Sequence, residues 1–289
     1  MQNTNTPLLG VIGGSGLYAM QGLEKVEERV VNTPFGEPSS PILIGDLEGQ
    51  SVAFLARHGR KHTLSPSEVN YRANIWALKS LGVRFVLAVS ACGSLREDFA
   101  PGHIVVPDQL FDYTKGRDSS FFGEGFVVHV GVADPFCNPF GEQVAAACEA
   151  AGAEVHQGGS YITIEGPRFS TRAESNTFRS WGLSIIGMTT SPEAYLAREA
   201  ELHYAVMAHV TDYDVWHEEP VSVDMVVRTF QQNLEVAQQA IRLLVGEMPG
   251  ELGCGCEDAL ANAFISDLQK TPKDVLKRVN LLVEKYRQD

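Results

Sequence analysis

The chain has 289 residues, 44% of them hydrophobic and 20% charged, with a formal net charge of -13; this is the balance of a globular protein with a sizeable core. Its acidity, with no Lys/Arg cluster, excludes the basic footprint that nucleic-acid binding requires, and no apolar run approaches the roughly 20 residues of a membrane span. The polar, uncharged start at residues 1–6 does not resemble a signal peptide, and five irregularly spaced cysteines, an odd number, point to a cytoplasmic protein rather than a disulfide framework.

In chain order, the apolar run 8–12 stops at Gly13-Gly14-Ser15-Gly16 and reads as a buried strand ending in a glycine turn. Residues 51–56 form a second strand, with Arg57-His58-Gly59-Arg60 at its end. Val69, Ala73, Trp76, Ala77 and Leu81 recur at helical spacing and predict an amphipathic helix over 67–81. A buried strand at 85–89 leads into the small residues Ser90-Ala91-Cys92-Gly93-Ser94. Further strands are expected at 103–107, 161–164, 185–188 and 204–210. Helices are expected at 140–151, 172–181 and 193–202, with one long helix at 223–245. The alternation predicts an α/β protein whose core strands are buried on both faces. Glycine-rich 250–256 reads as a joint, followed by helices near 258–269 and 273–286.

Ligands of open α/β sheets bind at strand ends. Gly13–Gly16, Arg57-His58, Ser90–Gly93 and Met188-Thr189-Thr190 together offer a guanidinium, several hydroxyls and unencumbered backbone amides, enough for a phosphate-sized anion. Gly-Gly-Ser-Gly satisfies neither the dinucleotide fingerprint nor a P-loop. After the strand 204–210 comes Thr211-Asp212-Tyr213-Asp214, two carboxylates whose burial is costly unless they are used or paired.

These segments resemble 5′-methylthioadenosine phosphorylases, a family of trimeric-type nucleoside phosphorylases. The matching stretches are Gly13–Leu17, Ala56–Thr63, Val69–Asn74, Ala91–Glu97, Glu165–Ser170, Met188–Thr190, Pro192-Glu193 and Thr211–Asp214. They lie in order across residues 8–246. The resemblance implies a single α/β domain (8–249) with a central mixed, partly barrel-like β-sheet flanked by helices, and a C-terminal helical extension (250–289) packed on it. It places Ser15, Arg57, His58, Ser90, Ala91 and Thr189 at phosphate. Phe169 and Ser170 fall at the base, Met188 at the ribose, and Asp212 and Asp214 where the purine is read. His62, Val223, Val226 and Val227 correspond to the pocket around the 5′ substituent, and His129 to a residue lent by a neighbouring subunit. The implied reaction is phosphorolysis of S-methyl-5′-thioadenosine to adenine and 5-methylthioribose 1-phosphate, with 5′-deoxyadenosine as a second substrate. Inorganic phosphate is the co-substrate, with no cofactor or metal. The implied assembly is a homotrimer or a dimer of trimers.

An Asp pair accepts hydrogen bonds from an exocyclic amine and so predicts a 6-aminopurine, with Asp212 protonated at N7 as general acid. A 6-oxopurine nucleoside or methylthioinosine phosphorylase of the same fold is the alternative, and a non-catalytic purine-binding protein a further one. The chain departs from the animal enzymes at Ser15 and Ser90, which stand in place of threonines, and in a loop after Trp216 shorter by two residues. Cys254-Gly255-Cys256 lies outside the shared core. It reads as two reduced thiols in a turn or a strained disulfide, and only weakly as zinc-binding, because no partner with ligand spacing is visible.

Overall fold

The structure, a computed structural model, describes residues 6–217, 222–248 and 250–287; the side chains of Ser15, Tyr18, Phe230 and Gln232 lie outside the description as well. Its first strands are β1 (Leu9–Gly13), β2 (Glu24–Arg29), β3 (Ile42–Leu47) and β4 (Gln50–Ala56), followed by helix α1 (Tyr71–Ser80) and strand β5 (Phe85–Ser94). Next come β6 (Ile104–Val106), β7 (Gln109–Tyr113), α2 (Asn138–Ala150), β8 (Val155–Gln157) and β9 (Ser160–Ile164). Then follow α3 (Arg172–Ser180), β10 (Ile185–Gly187), α4 (Thr190–Glu199), β11 (His203–Asp212), α5 (Val223–Gln232), α6 (Leu234–Gly246) and α7 (Lys273–Val283).

The eleven described strands form one mixed sheet in the order β2-β3-β4-β1-β5-β10-β9-β7, while β11 pairs with β5 and β6, and β6 with β8. Its central strands alternate between two apolar layers, as period-two geometry demands. Ile12, Ala53, Leu55, Val86, Ala88 and Val206 face a core filled by Ile75 and Leu78 of α1, Leu196 of α4 and Val275 and Val279 of α7. Leu9, Val11, Phe54, Leu87 and Met207 face the opposite core, filled by Phe140 and Val144 of α2 and Ile241 and Leu244 of α6. Both faces are covered, which is why the strands read as continuous apolar runs. Val275, Val279 and Leu282 of α7 belong to the same apolar cluster as these strands.

Several boundaries differ from expectation. The helix expected from 67 starts at Tyr71, because Asn70 caps it by accepting from the Ala73 amide, while Glu68 is held in the preceding turn by the Ser65 amide (2.9 Å). The expected helix 223–245 is broken at Asn233, which ends α5 and opens α6. No helix spans 258–269. A short 3-10 turn at Cys256–Asp258 is followed by turns in which Asp267 takes the Gln269 amide (2.9 Å) and Ser266 the Val127 amide (2.8 Å). Such side-chain bonds compete with helix formation. The unanticipated β2 is exposed along its whole length and carries charges, so no alternation marks it.

Candidate active site

The site exists because strand β5 changes neighbours. On one edge, β1 pairs with it from Phe85 to Ala88, and β10 takes over antiparallel at Gly93 and Ser94. β11 runs along the other edge throughout. Between Ala88 and Gly93 the first edge has no strand partner among the described residues, and this stretch lines a cavity of about 940 Å³. Ser90-Ala91-Cys92-Gly93 continues β5 beyond residue 89, where the strand was expected to end, and its backbone edge is part of the cavity wall. Chain ends converge on the gap: Gly13 from β1, Arg57 after β4, Thr189 after β10 and Asp212 at the end of β11.

Thirteen of the sixteen expected site residues line this cavity: Arg57, His58, His62, Ser90, Ala91, Phe169, Ser170, Met188, Thr189, Asp212, Asp214, Val226 and Val227. The Ser15 side chain lies outside the described residues, although its neighbours Gly14 and Gly16 line the cavity. Val223 does not reach it; the residue is 65% exposed at the first turn of α5, a turn short of Val226 and Val227. His129 also lies elsewhere, its backbone N–H donating to the Ala263 carbonyl at 2.8 Å.

Arg57 is held differently from expectation. Its Nε and Nη2 both donate to Glu193, at 2.8 Å each, Nη1 donates to the Val89 carbonyl (3.1 Å) and Nη2 also to the Ile12 carbonyl (3.4 Å). Four of the five guanidinium N–H groups are thus engaged, and the two-pronged face expected to clasp phosphate is turned to a carboxylate. Arg57 is 3% and Glu193 0% exposed. Burial works against the Arg57 charge, but the Glu193 carboxylate outweighs it and raises the pKa. Tyr204 donates a further bond to Glu193 at 2.9 Å. One N–H of Arg57 remains for an anion, alongside hydroxyls and backbone amides.

His58 bonds through Nδ1 to the Leu64 carbonyl at 2.9 Å and stacks on His62 with ring centroids 4.5 Å apart. Burial, then the adjacent Arg57 charge, push its pKa down to about 4. The ring is neutral near pH 7. A carbonyl can only accept, so Nδ1 carries the proton and Nε2 is an acceptor.

At the end of β11, Asp212 Oδ2 accepts from Thr211 Oγ1 (2.7 Å) and Oδ1 from the Asp214 backbone N–H (2.8 Å). Asp214 sits at φ +50, a left-handed conformation that L residues other than Asn and Asp rarely adopt. Burial raises both carboxyls, Asp214 to about 6, where the Asp212 charge adds to the rise. Asp214 Oδ2, Ser90 Oγ and Ser170 Oγ are buried and make no hydrogen bond of regular geometry within the protein. Such groups are costly unless a ligand or water satisfies them, and all three belong to the cavity wall.

Gly93 explains how the carboxylates come so close to the sheet. A Cβ there would stand 2.9 Å from Asp212 Oδ1 and 3.1 Å from Ile186 Cγ2. Gly93→Ala is expected to displace Asp212, lowering turnover at least tenfold while costing about 1–3 kcal/mol of stability; steady-state rates beside a thermal melt separate the two effects.

Sequence reasoning gave no role to Glu193, although Pro192-Glu193 lies in a matching segment. Arg117 carried no local signal at all, yet its Nη1 donates to the Met188 and Ser191 carbonyls at 2.8 Å each, holding the turn that presents Thr189.

The fold and this site define a class. Residues 8–246 match the model of the phosphorylase superfamily, and the chain belongs to that superfamily. Within it, the chain is 51% identical over 282 residues to the S-methyl-5′-thioadenosine phosphorylase of Geobacter sulfurreducens, covering 96% of this chain and 99% of that protein. A solved methylthioadenosine phosphorylase from an antarctic soil metagenomic library superposes with a TM-score of 0.91 at 44% identity, covering 96% of this chain and 99% of that one. A variant of the Schistosoma mansoni adenosine/methylthioadenosine phosphorylase, solved with methylthioadenosine, superposes with a TM-score of 0.79 at 37% identity and covers 96% and 98%.

Proposed function

We propose that this chain is a pentosyltransferase that cleaves S-methyl-5′-thioadenosine with inorganic phosphate, giving adenine and 5-methylthioribose 1-phosphate. The observation that carries the reading is the buried Asp212–Asp214 pair lining the same cavity as the buried Ser90 and Ser170 hydroxyls and the unpaired edge of β5. Phosphate sits over the unpaired edge of β5, held by Ser90, Ala91, Thr189 and the remaining N–H of Arg57, with Ser15 supplying a further hydroxyl. Neutral His58 accepts the proton-bearing oxygen of monohydrogen phosphate at Nε2. A phosphate oxygen bonds to C1′ as the C1′–N9 bond breaks, and its negative charge stabilises the developing sugar cation. Asp212 gives its proton to N7, and Asp214 accepts from the 6-amino group. Phe169, 37% exposed at the mouth, stacks on the base, Ser170 contacts it, and Met188 supports the ribose. His62, Val226 and Val227 surround the 5′ group; an apolar pocket favours methylthio over hydroxyl by about 1–3 kcal/mol, so 5′-deoxyadenosine is also turned over.

The reaction as proposed needs no cofactor. The assembly is a homotrimer in the cytoplasm, alone or as a dimer of trimers, with His129 completing a neighbour's 5′ pocket. Exposed Phe111, Tyr113 and Trp181, in ring contact along one surface, support self-association. Among the described residues no helix is long and apolar enough to cross a membrane.

The test is competition among substrates. With phosphate present, methylthioadenosine is expected to release base at least a hundredfold faster than methylthioinosine or inosine, because a 6-oxo group needs a donor where the Asp pair supplies an acceptor. Faster release of hypoxanthine than of adenine would sink the assignment.

A further inference from the structure

Away from the cavity, four side chains meet that this chemistry does not use. Cys137 is the N-cap of α2, His203 opens β11, and Cys254 and Cys256 flank Gly255 in the turn after α6. One donor atom from each lies within 4.8 Å of the other three. Cys137 Sγ is 3.5 Å from Cys254 Sγ and 3.4 Å from His203 Nδ1, and Cys254 Sγ is 3.3 Å from His203 Nδ1. Around zinc, with Zn–S of about 2.3 Å and Zn–N of about 2.0–2.1 Å, tetrahedral donors stand roughly 3.5–3.8 Å apart. A disulfide needs its sulfurs about 2.05 Å apart and joins only two of the three thiols, leaving the third and the imidazole without a role.

We propose that Cys137, His203, Cys254 and Cys256 hold a zinc ion in a structural Cys3His site. All four positions are protein side chains, and Cys137, His203 and Cys256 are buried, so no coordination position is left for a substrate. The imidazole is already oriented. It stacks on Phe85 with centroids 4.5 Å apart, and its Nε2 lies 3.4 Å from Glu257 Oε1, which in turn receives Arg84 Nε at 2.8 Å. A carboxylate behind the far ring nitrogen is the usual outer support of a metal-bound histidine. Three thiolates exceed the zinc charge by one, and Arg198 Nη1 donates to Cys256 Sγ at 3.3 Å, where it offsets that excess. The Cys-x-Cys stretch lacked visible partners in the sequence because the fold supplies them from 117 and 51 residues away. Bound zinc fastens the turn that leads to the C-terminal stretch onto the start of β11 and the head of α2.

The test is metal content of the whole chain purified under reducing conditions, read by plasma mass spectrometry. About one zinc per chain is expected, and cobalt(II) exchanged into the site is expected to give the visible bands and sulfur-to-metal charge transfer of a tetrahedral thiolate complex. Cys254→Ser loses the metal, Cys148→Ser keeps it, and Glu257→Gln weakens zinc binding by about 10–100-fold. The cobalt spectrum is taken on the unaltered protein, so misfolding of a variant leaves the question answerable. Reduced protein that takes up neither zinc nor cobalt stoichiometrically overturns the proposal, as does an intact mass showing a disulfide among Cys137, Cys254 and Cys256 that persists under reducing conditions.

Discussion

Asp212→Asn is expected to lower kcat/KM for methylthioadenosine by about a hundred- to ten-thousandfold, the range that a positioned acid contributes. The amide keeps the side-chain volume and can still accept from the Asp214 backbone N–H, so the wall of the cavity survives the change. On the proposed mechanism, what is lost is the proton for N7, and the loss falls on kcat more than on KM. A riboside whose leaving group needs no proton should be cleaved by the variant nearly as fast as by the unaltered enzyme. The pH profile carries the same signature. Burial raises both carboxyls, and the Asp212 charge adds to the rise at Asp214, so the pair titrates as a coupled unit. A protonated Asp212 is present below its raised pKa and lost above it. At saturating phosphate, kcat/KM is therefore expected to fall with rising pH along a limb set above the ordinary carboxyl range, and that limb should flatten in Asp212→Asn. A variant with near-normal turnover would remove Asp212 from the mechanism.

Glu193→Ala is expected to cost about 3–5 kcal/mol of unfolding free energy, because it leaves the Arg57 charge buried without its partner. For a domain of this size that amounts to a fall of roughly 5–8 °C in melting temperature. The Tyr204 hydroxyl loses its acceptor in the same step. Glu193→Gln keeps the shape and a hydrogen-bonding oxygen and should recover part of the loss. KM for phosphate should rise in both variants, since Glu193 fixes the guanidinium whose remaining N–H is proposed to meet the anion. Calorimetry and phosphate titration on the two proteins check this. A melting temperature unchanged in Glu193→Ala would show that the pair is not closed in solution.

The sequence made the core strands legible because both faces of β1, β4, β5 and β11 are buried, and continuous apolar runs announce that. It made β2 invisible for the converse reason: an exposed, charged edge strand has no alternation to read. The site was legible where glycines, hydroxyls and paired carboxylates follow such runs. It was not legible in how Arg57 is used, because Glu193 lies 136 residues further along and only the folded sheet brings them together. Nor could spacing reveal that the Ser90–Gly93 segment remains in the sheet. That depends on β1 ending and β10 beginning along the same edge, a fact of topology rather than of local pattern.

Helix α5 brings Val226, Val227 and Gln231 to the cavity, yet none of its described residues is buried. It contributes little to the core and depends on what it covers. An apolar group bound beneath it covers the exposed Val227 and the half-buried Val226, so apolar surface left open by the helix is buried by the ligand and not by the core, without rearrangement of the sheet.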